Sequence, residues 1–174
     1  DPLCREGMQR AARSLRRAYE HGDDAAARED MAFTSLLGGL ALANAGLGAV
    51  HGFASVIGGM FPAPHGAVCA RLLPYVMDVN VRALRQRQPE SIVLRRYDEI
   101  ACILTGRAGA VASDGIAWVQ ELCDALQIPA LASYGMTKTD FPILTEKASV
   151  ASSMKANPIP LTRDEMWEVL ERAL

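Results

Sequence analysis

Two histidines, His51 and His65, stand fourteen positions apart in the run His51-Gly-Phe-Ala-Ser-Val-Ile-Gly-Gly-Met-Phe-Pro-Ala-Pro-His65-Gly. The chain has only three histidines. His51 lies inside an uncharged stretch, Ala32–Pro64, and His65 directly follows it. Each imidazole brings two ring nitrogens that need hydrogen-bond partners or a metal. Two neutral imidazoles on neighbouring helices supply half of a tetrahedral or larger metal site. Two satisfied core histidines are the competing reading. Cys69 follows His65 by four residues and so shares its helical face. A His51/His65/Cys69 zinc site is therefore geometrically open. A free cysteine is more often a small buried hydrophobe, and Cys69 is weighted that way. His21 precedes Gly22-Asp23-Asp24 and reads as a surface residue closing a helix.

Other chemistry is not visible. The sequence holds no GxSxG, no P-loop and no GxGxxG placed after a strand. Gly38-Gly39 and Gly58-Gly59 do not read as cofactor loops. A dinucleotide could not be held here by the usual βαβ device, so any redox chemistry needs a cofactor held by another segment.

The elements that must position the two imidazoles read as helices. Asp1-Pro2 places an N-cap before a proline at the first helical position, and Leu3, Met8, Ala11, Leu15 and Ala18 form a stripe ending near His21-Gly22. Asp23 or Asp24 opens a second helix through Met31, Leu36, Leu37 and Leu40 to the Asn44–Gly48 region. A third begins near Ala49, carries His51 and Ser55 one turn apart, and must end at Pro62-Ala-Pro64. His65-Gly66 opens the next, which Pro74 breaks or kinks before it reaches Leu84. Further helices are expected from Ser91 to Leu104, from a Ser113-Asp114 cap to Pro129, and from Thr139-Asp140 through Leu144. A capping box, Thr162-Arg-Asp-Glu165, leads the last helix to Leu174. Asn157–Pro160 reads as extended, and Ala130–Ala132 offers at most two or three extended residues. The expected fold is all-α, a multi-helix bundle in a single domain over 1–174.

Composition bounds the function class. Half of the 174 residues are hydrophobic and 22% are charged, which suits a packed core rather than disorder. A net charge of −2 argues against a nucleic-acid partner, and the arginine groups Arg10/Arg13/Arg16/Arg17 and Arg82/Arg85/Arg87 read as solvated helix faces. Cys4, Cys69, Cys102 and Cys123 form no CxxC pair, which favours a reducing, cytoplasmic setting. Asp1–Cys4 does not open like a signal peptide, and the missing initiator Met suggests a processed or truncated chain. Ala32–Pro64 is long enough to span a bilayer and contains the GxxxG Gly48–Gly52. Its polar residues and glycines favour a buried helix pair in a soluble core, with small residues serving close packing, and no membrane partner.

The segments Ala41–Gly48, Val50-His51-Gly52, Pro64-His65-Gly66-Ala67, Leu72–Met77 and Ser152-Ser-Met-Lys-Ala-Asn-Pro158 together resemble the iron-containing (group III) alcohol dehydrogenases. The resemblance runs over nearly the whole chain. It implies the helical C-terminal domain of the dehydroquinate synthase-like/iron-containing alcohol dehydrogenase fold. In that family an N-terminal α/β domain binds NAD(P), and a divalent metal is held by one Asp and three His. The metal is usually Fe2+ and sometimes Zn2+. His51 and His65 match two of those histidines; the other two ligands would precede Asp1. The implied activity is metal-assisted hydride transfer between a small alcohol or aldehyde and NAD(P). Many relatives carry another histidine four residues after the first ligand, where this chain has Ser55, which cannot titrate near neutral pH. Ser55, Phe53 and Phe61, with Met60, are candidate substrate-pocket residues, although the aromatic rings and Met60 are equally candidates for core. By itself the chain should be inactive, expose apolar surface and self-associate as a homo-oligomer. A stand-alone helical structural or interaction module is the alternative, and a zinc protein using Cys69 is a third reading.

Overall fold

The structure, a computed structural model, describes residues 1–174 and is all-α. Eight helices follow one another: α1 (Pro2–Glu20), α2 (Ala25–Asn44), α3 (Ala49–Met60), α4 (His65–Arg87), α5 (Ile92–Thr105), α6 (Ala112–Ala125), α7 (Phe141–Val150) and α8 (Arg163–Ala173). Three 3-10 turns, Leu131–Tyr134, Lys138–Asp140 and Ser152–Ala156, fill the C-terminal third. The chain forms two compact units, one from Asp1–Ala45 with Arg95–Leu126, the other from Gly46–Leu94 with Gln127–Leu174.

In the first unit α1 and α2 run antiparallel, because paired residues approach with opposite sequence directions. Arg17 meets Asp24, Arg13 meets Asp30, and the Gly7 carbonyl accepts from Thr34 Oγ1 at 3.4 Å. Asp24 caps α2, its carboxylate accepting from Ala27 N at 2.9 Å. The Asp30 carboxylate is the centre of the pair. It accepts from Arg10 Nη1 at 2.8 Å, from Arg13 Nε and Nη2 at 2.7 Å each, and from the buried Ser14 hydroxyl at 2.6 Å. The arginines of α1 form the expected solvated face, on which they are paired with carboxylates. Arg82 and Arg87 behave alike, reaching Glu168 and Glu165. In the same unit α5 and α6 approach closely, since a Cβ on Gly115 would stand 3.0 Å from Ala101 Cα. Asp98 of α5 accepts from Ala112 N at 2.8 Å, and Asp114 accepts from Val111 N at 2.9 Å.

Three local features differ from what the sequence predicts. The cap of α6 is not Ser113-Asp114: the helix starts at Ala112, with Asp114 in its first turn and Asp98 supplied from another helix. Pro74 does not break α4, which runs through it from His65 to Arg87 with the ring buried. The Ala32–Pro64 stretch is not a buried helix pair. On α2 only Ala27 and Leu37 are buried, while Phe33, Leu36, Leu40 and Leu42 are exposed. No single helix is long and apolar enough to cross a membrane.

The second unit holds one apolar core. Phe53, Ile57, Val68, Leu72 and Val79 from α3 and α4 pack with Phe141 and Leu144 of α7 and with Met166, Val169 and Leu170 of α8. Phe141 meets Trp167 edge to face at 5.8 Å between centroids. Thr162 and Glu165 form the expected capping box of α8, with hydrogen bonds of 2.7 and 3.2 Å.

The start of α3 is fixed by a residue remote in sequence. Asn157 Oδ1 accepts from Ala49 N at 3.0 Å, satisfying one of the donors that a helix N-terminus leaves free. The same amide exchanges hydrogen bonds with buried Asn80 of α4, at 2.8 and 3.2 Å, and donates to the Ile159 carbonyl at 2.8 Å. Gly48 lies so close that a Cβ there would stand 3.1 Å from Asn157 Oδ1. A Cβ on Gly52 would stand 2.9 Å from Met154 Cε, and one on Gly46 would stand 2.5 Å from Ala156 Cβ. The GxxxG at 48–52 thus seats the Met154–Asn157 segment, and the expectation that small residues serve close packing holds, with a 3-10 turn as the partner.

Two predictions follow from these contacts. Asn157→Ala should destabilise the chain by about 2–3 kcal/mol in urea unfolding, because it removes the cap on the Ala49 N–H and both hydrogen bonds to Asn80. An effect within the range of ordinary surface substitutions would contradict this account. Its arginine and serine donors hold Asp30 well below the usual carboxylate range, the Arg13 and Ser14 hydrogen bonds contributing most. A lowered native pKa stabilises above the unfolded value and loses that stabilisation on acidification. Asp30→Asn should therefore lower the melting temperature at pH 7, and the gap from the parent should narrow below about pH 4. A gap independent of pH would show that the charge is not what Asp30 contributes.

Candidate metal centre

His51 is the third residue of α3, and its backbone N–H is held by the Gly48 carbonyl at 3.1 Å. His65 is the first residue of α4, set there by Pro64, whose carbonyl accepts from Val68 N at 3.1 Å. Pro62 and Pro64 leave the intervening backbone unable to continue α3, so the chain turns and the two helices pack as neighbours. The rings come to 5.4 Å between centroids with a 52° interplanar angle. Cys69, one turn along α4 from His65, faces the same space. Its Sγ is 3.5 Å from His65 Nε2 and 3.9 Å from His51 Nε2. One donor atom from each of the three residues lies within 4.8 Å of the others.

Burial and the neighbouring His65 ring push the His51 pKa down. His51 is thereby kept neutral at physiological pH, which is the form that offers a lone pair. Burial pushes the Cys69 thiol up. His65 is exposed, while His51 and Cys69 are half-buried, so the cluster opens at the surface of its unit.

The two sequence-predicted histidines are therefore brought together, and Cys69, which the sequence weighs toward packing, joins them at hydrogen-bond range. The i, i+4 spacing from His65 carried that signal. The pocket candidates separate. Ser55 is exposed one turn beyond His51, its hydroxyl donating to the Gly52 carbonyl of its own helix at 3.1 Å. Phe61 is half-buried at the end of α3, and Met60 likewise packs against the core. Phe53 has no exposed surface and belongs to the core, so it cannot line an open pocket. His21 lies exposed at the end of α1, as its position beside Gly22 suggests. Asn157 and Asn80 escaped the sequence reading: they are 77 residues apart, and nothing local marks them as partners.

The chain is similar to a set of known dehydrogenases. Residues 1–174 match the family described as the Fe-containing alcohol dehydrogenase family, C-terminal. The chain is 31% identical to alcohol dehydrogenase 4 of Saccharomyces cerevisiae over 174 residues, covering 99% of this chain and 44% of that protein. It is 33% identical to the 1,3-propanediol dehydrogenase of Klebsiella pneumoniae over 179 residues, again covering 99% of this chain and 44% of that protein. The crystal structure of a 1,3-propanediol oxidoreductase superposes with a TM-score of 0.85 at 33% identity, over 100% of this chain and 45% of that one. An archaeal alcohol dehydrogenase, ADH/D1 from a Red Sea brine pool, gives 0.89 at 26% identity, over 100% of this chain and 44% of that one. The chain thus spans less than half the length of these relatives. It belongs to the Fe-containing alcohol dehydrogenase family, of which it represents the C-terminal, helical part.

Proposed function

We propose that the chain is the metal-holding part of an iron-dependent alcohol dehydrogenase that moves hydride between a small alcohol or aldehyde and NAD(P). The convergence of His51 and His65 from two packed helices carries this reading. The donor set fits a divalent ion: two imidazoles, one of them held neutral, turn toward a common point at an exposed edge. His51 and His65 would hold the metal, with the remaining ligands and the dinucleotide site supplied by sequence beyond this chain. A bound Fe2+ supplies Lewis acidity, polarising the oxygen of the substrate.

The chain's own residues contribute position. Asn157 fixes the first turn of α3 and hence the origin of the His51 side chain. Pro64 fixes the start of α4 under His65. Phe61 and Met60, at the end of α3, supply apolar surface on the same unit as the imidazoles. Ser55 offers a hydroxyl already committed to the Gly52 carbonyl, so it presents no group that titrates near neutrality. The names of the relatives, among them 1,3-propanediol and butanol dehydrogenases, support a small alcohol as the substrate class. The absence of any paired cysteine motif supports a reducing, cytoplasmic setting.

The 174-residue chain alone should show no NAD(P)-dependent alcohol oxidation, because two histidines and no dinucleotide site cannot complete the reaction. In the whole enzyme with Fe2+, His51→Ala or His65→Ala should lower bound iron at least tenfold and turnover at least a hundredfold, measured by elemental analysis and NAD(P)H absorbance. Full iron content and turnover in either variant would refute the assignment, as would robust turnover by the 174 residues alone.

A further inference from the structure

We propose that Cys69 is a third donor to the ion, so that α3 and α4 by themselves form a two-histidine, one-thiolate site for a soft or borderline divalent metal such as Zn2+ or Co2+. The proposal rests on the reading of His51 and His65 as ligands and adds a thiolate to them.

The geometry is the argument. The same ring atom of both imidazoles, Nε2, is turned toward one sulfur, at 3.5 and 3.9 Å. A nitrogen and a sulfur bound tetrahedrally to one divalent ion, at about 2.1 and 2.3 Å, stand roughly 3.6 Å apart. The two observed separations bracket that value. All three donors fall within 4.8 Å of one another, so small movements of exposed His65 complete the triangle. Cys69 packs at the edge of the apolar core, and its sulfur also lies within reach of the Nε2 atoms of both imidazoles. Val68 and Leu72, flanking Cys69 on α4, are fully buried, whereas Cys69 is only half-buried and its sulfur is left within reach of the imidazoles.

The spacing also makes the site local. His65 and Cys69 are i, i+4 on one helix, and His51 joins from the helix that precedes it. No residue from the other compact unit is needed. As the sulfur–metal bond forms, the thiol proton passes to solvent, so each ion bound releases one proton from Cys69. A thiolate shifts preference toward borderline and soft ions relative to an all-oxygen and nitrogen set. Zinc and cobalt should therefore compete better in this chain than a histidine–aspartate site alone would allow.

Cobalt(II) distinguishes the readings because thiolate ligation adds an intense ultraviolet charge-transfer band to its visible ligand-field bands. The 174-residue chain, reduced and metal-free, is titrated with CoCl2, alongside Cys69→Ala, Cys69→Ser and His51→Ala. Far-ultraviolet circular dichroism checks that each is folded. The expected result is a one-to-one complex with the charge-transfer band in the parent. The band should vanish in both Cys69 variants, with cobalt affinity at least tenfold weaker, and ZnCl2 should displace the cobalt. Ligand-field bands without a charge-transfer band, and unchanged affinity in Cys69→Ala, would overturn the thiolate while leaving the histidines as ligands. A simple hydrogen-bonded thiol between the rings would give that result. A band that survives in Cys69→Ala would assign the sulfur to Cys4, Cys102 or Cys123 and also overturn the proposal. No cobalt bound by the folded parent would overturn the thiolate site, and unchanged iron in the whole-enzyme histidine variants is what would remove the histidines as well.

Discussion

The carboxamide of Asn157 is the contact on which the geometry of the candidate metal centre depends. A helix N-terminus needs an acceptor for its first free N–H groups, and α3 has no side chain of its own to provide one, since its N-cap is Gly48. The acceptor comes from Asn157, and the same side chain is paired to Asn80 inside α4. One amide therefore ties together the helix that carries His51 and the helix that carries His65. Three glycines at the start of α3 and just before it follow from this arrangement. Gly46, Gly48 and Gly52 lack side chains where the Met154–Asn157 segment presses against them, and a Cβ at any of them would meet that segment at 3.1 Å or less.

Much of this was legible in the sequence. Prolines at 62 and 64 ended α3 where expected, Asp24 capped α2, and the Thr162/Glu165 box opened α8, because these signals act within a turn of the residues that carry them. The two histidines were legible for the same reason: a short, proline-bounded connection forces neighbouring helices together. What could not be read was supplied from a distance. Of the expected Ser113-Asp114 cap only Asp114 takes part, accepting from Val111 N within the first turn, while the acceptor for Ala112 N comes from Asp98, fourteen residues earlier. At Pro74 the helix is not broken: α4 continues through it to Arg87, as the apolar residues beyond it led one to expect, and the ring is buried.

The two compact units also differ in what holds them. The second is an apolar core in the ordinary sense, with Phe53, Leu72 and Leu170 fully enclosed. In the first, the α1–α2 pair buries little beyond Gly7, Ser14, Ala27 and Leu37, and a single carboxylate, Asp30, gathers two arginines and a serine across the interface. Apolar length in the sequence was a poor guide here. The leucines of α2 were numerous enough to predict burial, yet the face they form is only partly covered.

The remoteness of Asn157 has a consequence for how the chain comes to exist. Ala49 and Asn157 are 108 residues apart, so the first turn of α3 cannot receive its cap until residue 157 has left the ribosome. At about 5–20 residues per second, that interval is roughly 5–20 seconds. During it the glycine-rich start of α3 has neither its acceptor nor the Met154 side chain that later fills the space beside Gly52. The helix bearing His51 is therefore among the last parts of the chain to become definite. A nascent chain arrested before residue 157 would present His51 on a helix whose first turn is not yet capped.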